Sequence, residues 1–305
     1  MPAGRPLKVG LYIPNGEGVM GAGTPRWKDV LRKARTAEDA GFDSIWVADH
    51  FIFRFPDSEP MGRWECWSLL SALAAATTRV ELGPLVNCMS FRNPALLAKI
   101  AETVDEISDG RLNLLVGAGW HQPEYDAYGF PFDHRVSRFE EGFHIVRGML
   151  NDGQVTYTGQ FERAVNCELR PRGPRPGGIP LIIGSNGPRM LRLMAEYADG
   201  WNTTWLTDPA EMDELNLKVD AACDEVGRDP RTLSRSACIF VDLPSRAGRG
   251  VPTNQNLPST CDPAQLAELL ARYAGKGLDH VMLWIDPNTE TGIEEVGRAL
   301  EILDA

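Results

Sequence analysis

Two groups of residues in this sequence have the types and spacing to do chemistry. Asp49 and His50 follow the apolar run Ile45-Trp46-Val47-Ala48 and precede Phe51-Ile52-Phe53. A carboxylate accepts hydrogen bonds, and an imidazole, which ordinarily titrates near neutrality, gives or takes a proton. An ionisable pair with an apolar surround points to a pocket rather than to a solvated turn. The same dipeptide also suits a purely structural role in which Asp49 orients His50. The second group is Gly184-Ser185-Asn186-Gly187-Pro188. Its glycines let backbone N–H groups approach an anion, and a helix N-terminus adds a favourable dipole. Ser185 offers a hydroxyl, and Arg189 and Met190 offer backbone donors past Pro188. The same spacing also makes an ordinary tight strand-to-helix turn.

These groups need elements to position them. Apolar runs predict eight strands: Leu7–Ile13, Ser44–Ala48, Val80–Val86, Leu112–Val116, Pro180–Ile183, Gly200–Thr204, Arg235–Val241 and Asp279–Ile285. Helical patterns lie between many of them. Thr24-Pro25 reads as N-cap and first helical residue of a helix carrying Trp27, Val30, Leu31, Ala34 and Ala37, stopped by Gly41. Trp67–Ala76 reads as helix. Asn93-Pro94 opens a further helix with Leu97, Ile100, Ala101, Val104 and Ile107 inward, ended by Ser108-Asp109-Gly110. His134–Leu150 and Pro188–Tyr197 are also expected to be helical. Val155–Leu169 reads as a hairpin within an excursion at about 151–179. That excursion closes on the Pro/Gly/Arg segment "LRPRGPRPGG", whose arginines are expected in solvent. Strands alternating with helices imply a parallel sheet, and eight units in one chain of this length favour a closed (β/α)8 barrel over an open doubly wound sheet. The whole chain, 1–305, is read as one barrel domain. In such barrels the active site lies at the C-terminal strand ends. Asp49-His50, Asn87-Cys88, Ala118 to His121 and Ser185-Asn186 all follow strands at that end.

Composition narrows the classes. The chain has 305 residues, of which 43% are hydrophobic, enough for a large core. A formal net charge of −11 disfavours nucleic acid as the main partner. No apolar run approaches the ~18 residues of a membrane span, and the first residues lack a signal-peptide core, so a cytoplasmic location is expected. Six scattered cysteines without a Cys-x-x-Cys pair suit reduced thiols better than a disulfide frame or a zinc site. His134 reads as an exposed helix-start residue. His144 and His280 read as structural, and no metal site is expected.

The segments "GFDSIWVADHF", "RVELGPLV", "FRNPALLAKIAETVDEISDGRL", "VGAGWHQPEYDAYGFPF" and "IIGSNGPRMLRLMAEYADGWN" together resemble the luciferase-like monooxygenase superfamily, from about Val9 to Trp201. The last third matches only in its strand and helix pattern. The resemblance implies an insertion-bearing (β/α)8 barrel that binds, at its C-terminal mouth, either the deazaflavin coenzyme F420 or reduced flavin mononucleotide (FMN). It implies that the cofactor phosphate lies at Gly184 to Gly187 and Arg189. It implies a bulge at Val86, Asn87 and Cys88, often with a non-prolyl cis peptide, behind the tricyclic ring. Cys88 is then either a thiol near the cofactor or a plain buried cysteine. Ala118 and Gly119 are small enough for a flat ring to lie against backbone, with Trp120 and His121 near ring or substrate.

In similar deazaflavin enzymes an Asp-His pair at the place of Asp49 and His50 faces the ring. The carboxylate accepts a hydrogen bond from the coenzyme, and the imidazole shuttles a proton. Phe51 and Phe53 would form an apolar wall, and Trp46 is expected to pack outward between barrel and helices. Glu124 and Tyr125 read as helix-start residues, and Arg138 with Glu140 as a helical ion pair. Arg135 and Arg138 are minor candidates for phosphate contact. One sugar-phosphate dehydrogenase branch carries a glutamate acid where this chain has Trp120 and a tryptophan where it has Arg54. These departures argue against a sugar phosphate and leave the proton donor open. Three readings follow. The first is hydride transfer between the deazaflavin and a small organic substrate. The second is a two-component monooxygenase using reduced FMN and O2. The third is a flavin-binding protein without turnover. No Gly-x-Gly-x-x-Gly fingerprint for a nicotinamide occurs, so either enzyme would depend on a separate reductase. A homodimer is one assembly open to it.

Overall fold

The computed structural model describes residues 4–18, 23–244 and 261–305. In chain order the elements are β1 (Lys8–Tyr12), α1 (Trp27–Asp39), β2 (Ser44–Val47), β3 (Ile52–Phe53), β4 (Met61–Gly62), α2 (Cys66–Ala76), β5 (Glu81–Pro84), β6 (Asn87–Cys88), α3 (Pro94–Ser108), β7 (Leu114–Gly117), α4 (Gln122–Tyr128), α5 (Arg135–Asp152), β8 (Gln154–Thr158), β9 (Arg163–Glu168), β10 (Leu181–Gly184), α6 (Pro188–Tyr197), β11 (Gly200–Leu206), α7 (Glu211–Val226), β12 (Ser234–Asp242), α8 (Pro263–Gly275), β13 (His280–Asp286) and α9 (Glu290–Asp304). The loops at 15–23 and 243–257, which match no motif and are expected from the sequence to border the barrel mouth, fall partly outside the described residues, at 19–22 and 245–257.

The main sheet runs β5-β2-β1-β13-β12-β11-β10-β7-β6, with every neighbour parallel. Its two ends, β5 and β6, are halves of one broken strand. β5 pairs with β2 and β6 with β7, and Leu82 bridges to Leu112 across the seam. The cylinder is therefore closed, and the doubly wound alternative is set aside. The strands read as continuous apolar runs because helices cover the outer face while side chains fill the inside.

Trp46 is the correction here. It points into the barrel, fully buried with Tyr12, Leu115, Ile182 and Met282. Glycines make the room: a Cβ on Gly83 would lie 2.3 Å from its ring, and one on Gly10 2.7 Å from its Nε1. The indole donates to Ser44 Oγ (2.7 Å), which bonds His280 Nε2 (2.7 Å). This polar triplet lies toward the N-terminal end of the barrel and away from the strand ends that carry Asp49 and His50.

Helix signals held with local exceptions. Asn93 Oδ1 caps α3 at Leu96 N (3.1 Å), Pro94 opens it, and Asp109 ends it in the left-handed region (φ 58°). Ile107 of this helix is exposed, not inward. In α1 the N-cap is Arg26 rather than Thr24, whose hydroxyl turns to Glu17 (3.4 Å), and Trp27 lies at the surface. The excursion is the β8–β9 hairpin, followed by the arginine-rich segment. Its arginines are not all in solvent. Arg172 reaches Glu102 (3.0 Å) and Arg175 reaches Asp105 (3.0 Å), two buried carboxylates of α3. Arg138 pairs with Asp133 (3.0 Å) rather than Glu140, which holds Arg189. Among the described residues no helix is long and apolar enough to cross a membrane.

Candidate active site

The barrel strands deliver their last residues to one cleft of about 900 Å³, within the range of small-molecule sites. Of the thirteen candidates read from the sequence, eleven line it; Gly187 and Arg189 do not.

At the end of β2, Asp49 is fully buried. Arg92 donates to it twice, from Nη1 (2.7 Å) and Nη2 (2.9 Å), and Cys88 N donates a third bond (3.0 Å). Burial pushes the Asp49 carboxyl up and the Arg92 guanidinium opposes this. Three donors and no acceptor around its oxygens hold it as the carboxylate. Arg92 also reaches Glu65, which caps α2 at Ser68 N (2.7 Å). Asp49 thus ties the end of β2 to β6 and, through Arg92 and Glu65, to the start of α2, and it does not orient His50.

His50 has another partner. Its Nδ1 lies 2.8 Å from Glu124 Oε2. Glu124 Oε1 accepts from the backbone N–H groups of Phe51 and Ile52, the latter at 3.1 Å. Glu124 does sit in the first turn of α4, as its position suggested, but it is fully buried and faces the cleft. Its trace in the sequence is a carboxylate in a first helical turn, which the helix dipole explains equally well. Because a carboxylate only accepts, the contact places the proton on Nδ1 and leaves Nε2 as the exchangeable nitrogen.

In the third strand the Leu85–Val86 peptide is cis. Val86 packs on bare backbone: a Cβ on Gly117 would lie 3.2 Å, and one on Gly184 3.4 Å, from its methyls. Asn87 accepts from Trp67 Nε1 (3.0 Å). Cys88 Sγ meets Tyr125 Oη (2.9 Å), and burial pushes its thiol up to about 12, which makes it inert. Gly119 has φ +73° and lies so close to Tyr125 that a Cβ would come within 2.0 Å of the phenol oxygen; only glycine fits.

Beyond it, Trp120 lines the cleft in a T-shaped contact with His50 (centroids 5.8 Å, 74° between planes). His121 turns away, its Nε2 accepting from Arg54 N (3.0 Å), and burial pushes its imidazole down. Phe53 lines the cleft, whereas Phe51 packs behind it on Phe91 (4.9 Å) and Tyr128 (4.6 Å).

On the opposite side, Ser185 and Asn186 lie between β10 and α6. Ser185 Oγ accepts from Gly187 N (3.3 Å), and Asn186 Nδ2 donates to Thr203 (3.1 Å). The Arg189 side chain is engaged by Glu140 and by Ser137 Oγ (3.0 Å), outside the cleft. Deeper, Asn202 donates to Ser236 Oγ (3.0 Å) while its Oδ1 is buried without a partner.

The sequence model of the luciferase-like monooxygenase family matches residues 7–281. The chain belongs to this family. A 5,10-methylenetetrahydromethanopterin reductase of Archaeoglobus fulgidus is 32% identical over 194 residues, 64% of this chain and 54% of that protein. A phthiodiolone/phenolphthiodiolone dimycocerosates ketoreductase of Mycobacterium tuberculosis is 30% identical over 234 residues, 71% of this chain and 58% of that protein. The chain thus spans little more than half the length of these relatives. In three dimensions it superimposes on an F420-dependent secondary alcohol dehydrogenase in complex with an F420-acetone adduct. The TM-score is 0.82 at 20% identity, with 98% of this chain and 99% of that one covered. A monooxygenase of Streptomyces bottropensis gives 0.74 at 18% identity, covering 98% of each chain. The barrel of this luciferase-like protein is therefore shared with both reductive and oxygen-using enzymes.

Proposed function

We propose that this luciferase-like protein is a deazaflavin-dependent oxidoreductase that moves a hydride between coenzyme F420 and a small organic substrate. The observation that carries the reading is His50 in the cleft wall with Nδ1 bound to a fully buried carboxylate. The names of the relatives, two reductases and an F420-dependent dehydrogenase, support the choice of chemistry.

The cleft suits a flat polar-edged ring. Val86, its methyls seated on the bare backbone of Gly117 and Gly184, makes an apolar floor, and Asn202 Oδ1 offers an unmatched acceptor. Ser185, Asn186 and the N-terminal turn of α6 are the groups we assign to the cofactor phosphate. When bound, the deazaflavin supplies a two-electron hydride donor or acceptor. The protein manages the proton. As a substrate carbinol loses its hydride, His50 Nε2 takes the hydroxyl proton; in the reverse sense it returns that proton to the carbonyl oxygen. Asp49 holds the floor through Arg92 and Cys88 N. The absence of a dinucleotide fingerprint fits a coenzyme reduced by a separate enzyme.

Titration of the pure protein with oxidised and reduced F420 and FMN tests this reading. Tighter binding of F420 is expected. Micromolar affinity for reduced FMN with rapid oxygen uptake, and no binding of F420, would overturn it in favour of a two-component monooxygenase.

A further inference from the structure

Trp205 stands at an irregularity in β11. The pairing of β11 with β12 shifts between Thr204 and Leu206, so that Thr204 faces Cys238 and Leu206 faces the next residue, Ile239. Trp205 is the extra residue of this bulge, and its φ is +67°. Left-handed backbone is the province of glycine and asparagine, and a bulky aromatic there is an outlier. The conformation aims the side chain. The indole stacks on Phe240 of β12 (centroids 4.6 Å, 16° between planes) and packs on Trp284 of β13 (5.2 Å). Trp284 in turn packs on Tyr12 of β1 (4.5 Å). Four adjacent strands, β1-β13-β12-β11, thus each contribute one ring to a continuous wall, and all four rings line the cleft. Elsewhere the same cleft is lined by Phe53, Phe55 and Trp120 around His50.

Charge points the same way. Among the described lining residues there is no lysine or arginine. The two carboxylates there, Asp49 and Glu124, are already met by protein donors. Among the described residues an anionic group on the substrate would find no lysine or arginine in the cleft lining, although Arg63 stands over the Phe53 ring (4.6 Å to its centroid), whereas a flat apolar ring would find faces to stack on.

We propose that Trp205 is a specificity-determining residue that selects neutral substrates bearing an aromatic ring beside the reacting carbonyl or carbinol. The proposal rests on the hydride-transfer reading for its reacting group, but its test does not need turnover. Dissociation constants for acetophenone, 2-butanone and benzoate are measured by calorimetry on the protein alone and on the protein saturated with F420. Wild type is expected to prefer acetophenone to 2-butanone, and to prefer it to benzoate. Trp205→Gly should reduce the preference over 2-butanone by about five- to tenfold, the worth of one aromatic stack. Its melting temperature should change little, because glycine accepts the left-handed backbone while the stacking on Phe240 and Trp284 is lost. Trp205→Phe should keep most of the preference.

An unchanged preference in Trp205→Gly would overturn the proposal, and all the more if that variant melts lower, since Trp205 would then only pack. Tighter binding of benzoate than of acetophenone by the wild type would also overturn it. Failure of F420 to bind would sink the proposed function while leaving an aryl preference intact. F420 binding without an aryl preference would sink only the role of Trp205.

Discussion

Glu124→Gln separates a positioned proton carrier from an anchored loop. In the native protein Glu124 Oε1 accepts from the backbone of Phe51 and Ile52, and Oε2 faces His50 Nδ1 at 2.8 Å. A glutamine must keep its single oxygen on the two backbone donors, because an amide nitrogen cannot accept. Its NH2 group then faces His50 Nδ1. Two donors cannot share a hydrogen bond, so the imidazole proton moves to Nε2 and the exchangeable nitrogen loses its lone pair. Stability should change modestly, by about 1–2 kcal/mol, because the oxygen contacts survive and one charge-assisted bond becomes neutral. The rate of hydride transfer should fall by ~10²–10⁴, the usual worth of a general acid or base. Three measurements read this out: F420 absorbance in single turnover, thermal melting, and nitrogen chemical shifts of the His50 ring, which report the tautomer directly. Glu124→Ala is the harsher control. It strands two backbone donors and should cost ~1–3 kcal/mol for each. A Glu124→Gln protein with an inverted tautomer and turnover within twofold of wild type would refute the reasoning, and Glu124 would then be a loop anchor only.

Other perturbations test the surrounding structure. Arg92→Met leaves the buried Asp49 carboxylate without its bidentate partner and should cost about 3–5 kcal/mol in chemical denaturation, with much of the loss recovered in Arg92→Met/Asp49→Asn; equal stability of the single variant and wild type would contradict the ion pair. Burial pushes His280 down to about 4 from an ordinary 6.5, so the neutral ring's contribution is complete above pH 6.5 and is lost as pH falls from there through 4. Wild type should lose up to about 3 kcal/mol more than His280→Gln over that window, and parallel pH–stability curves would reject the assignment. Gly187 has open space where a Cβ would stand, with Ser185 Oγ nearest at 3.9 Å, and an ordinary φ of −77°. Gly187→Val should therefore fold normally and weaken binding of phosphorylated cofactor much more than of its dephosphorylated form; equal losses would move the phosphate elsewhere.

The sequence by itself determined the strands, most of the helices and the strand ends that line the cleft. Those features are local: a buried parallel strand is a continuous apolar run, and Asn93-Pro94 or Gly41 signals a helix boundary within a few residues. What only the tertiary structure decided concerns partners distant in the chain. The orientation of Trp46 depended on Gly10 and Gly83 of neighbouring strands, which leave the barrel interior hollow enough for an indole. Arg172 and Arg175 looked solvated until α3 brought Glu102 and Asp105 beneath them. Asp49 and His50 are adjacent in sequence, yet the strand end sends them apart, one to Arg92 and the other to Glu124, 74 residues away. The ring wall of Tyr12, Trp205, Phe240 and Trp284 was likewise invisible, because each aromatic is an unremarkable strand residue until closure of the barrel sets four strands side by side. Periodicity in a sequence reports which face of an element is buried; what that face meets is fixed only when the other elements arrive.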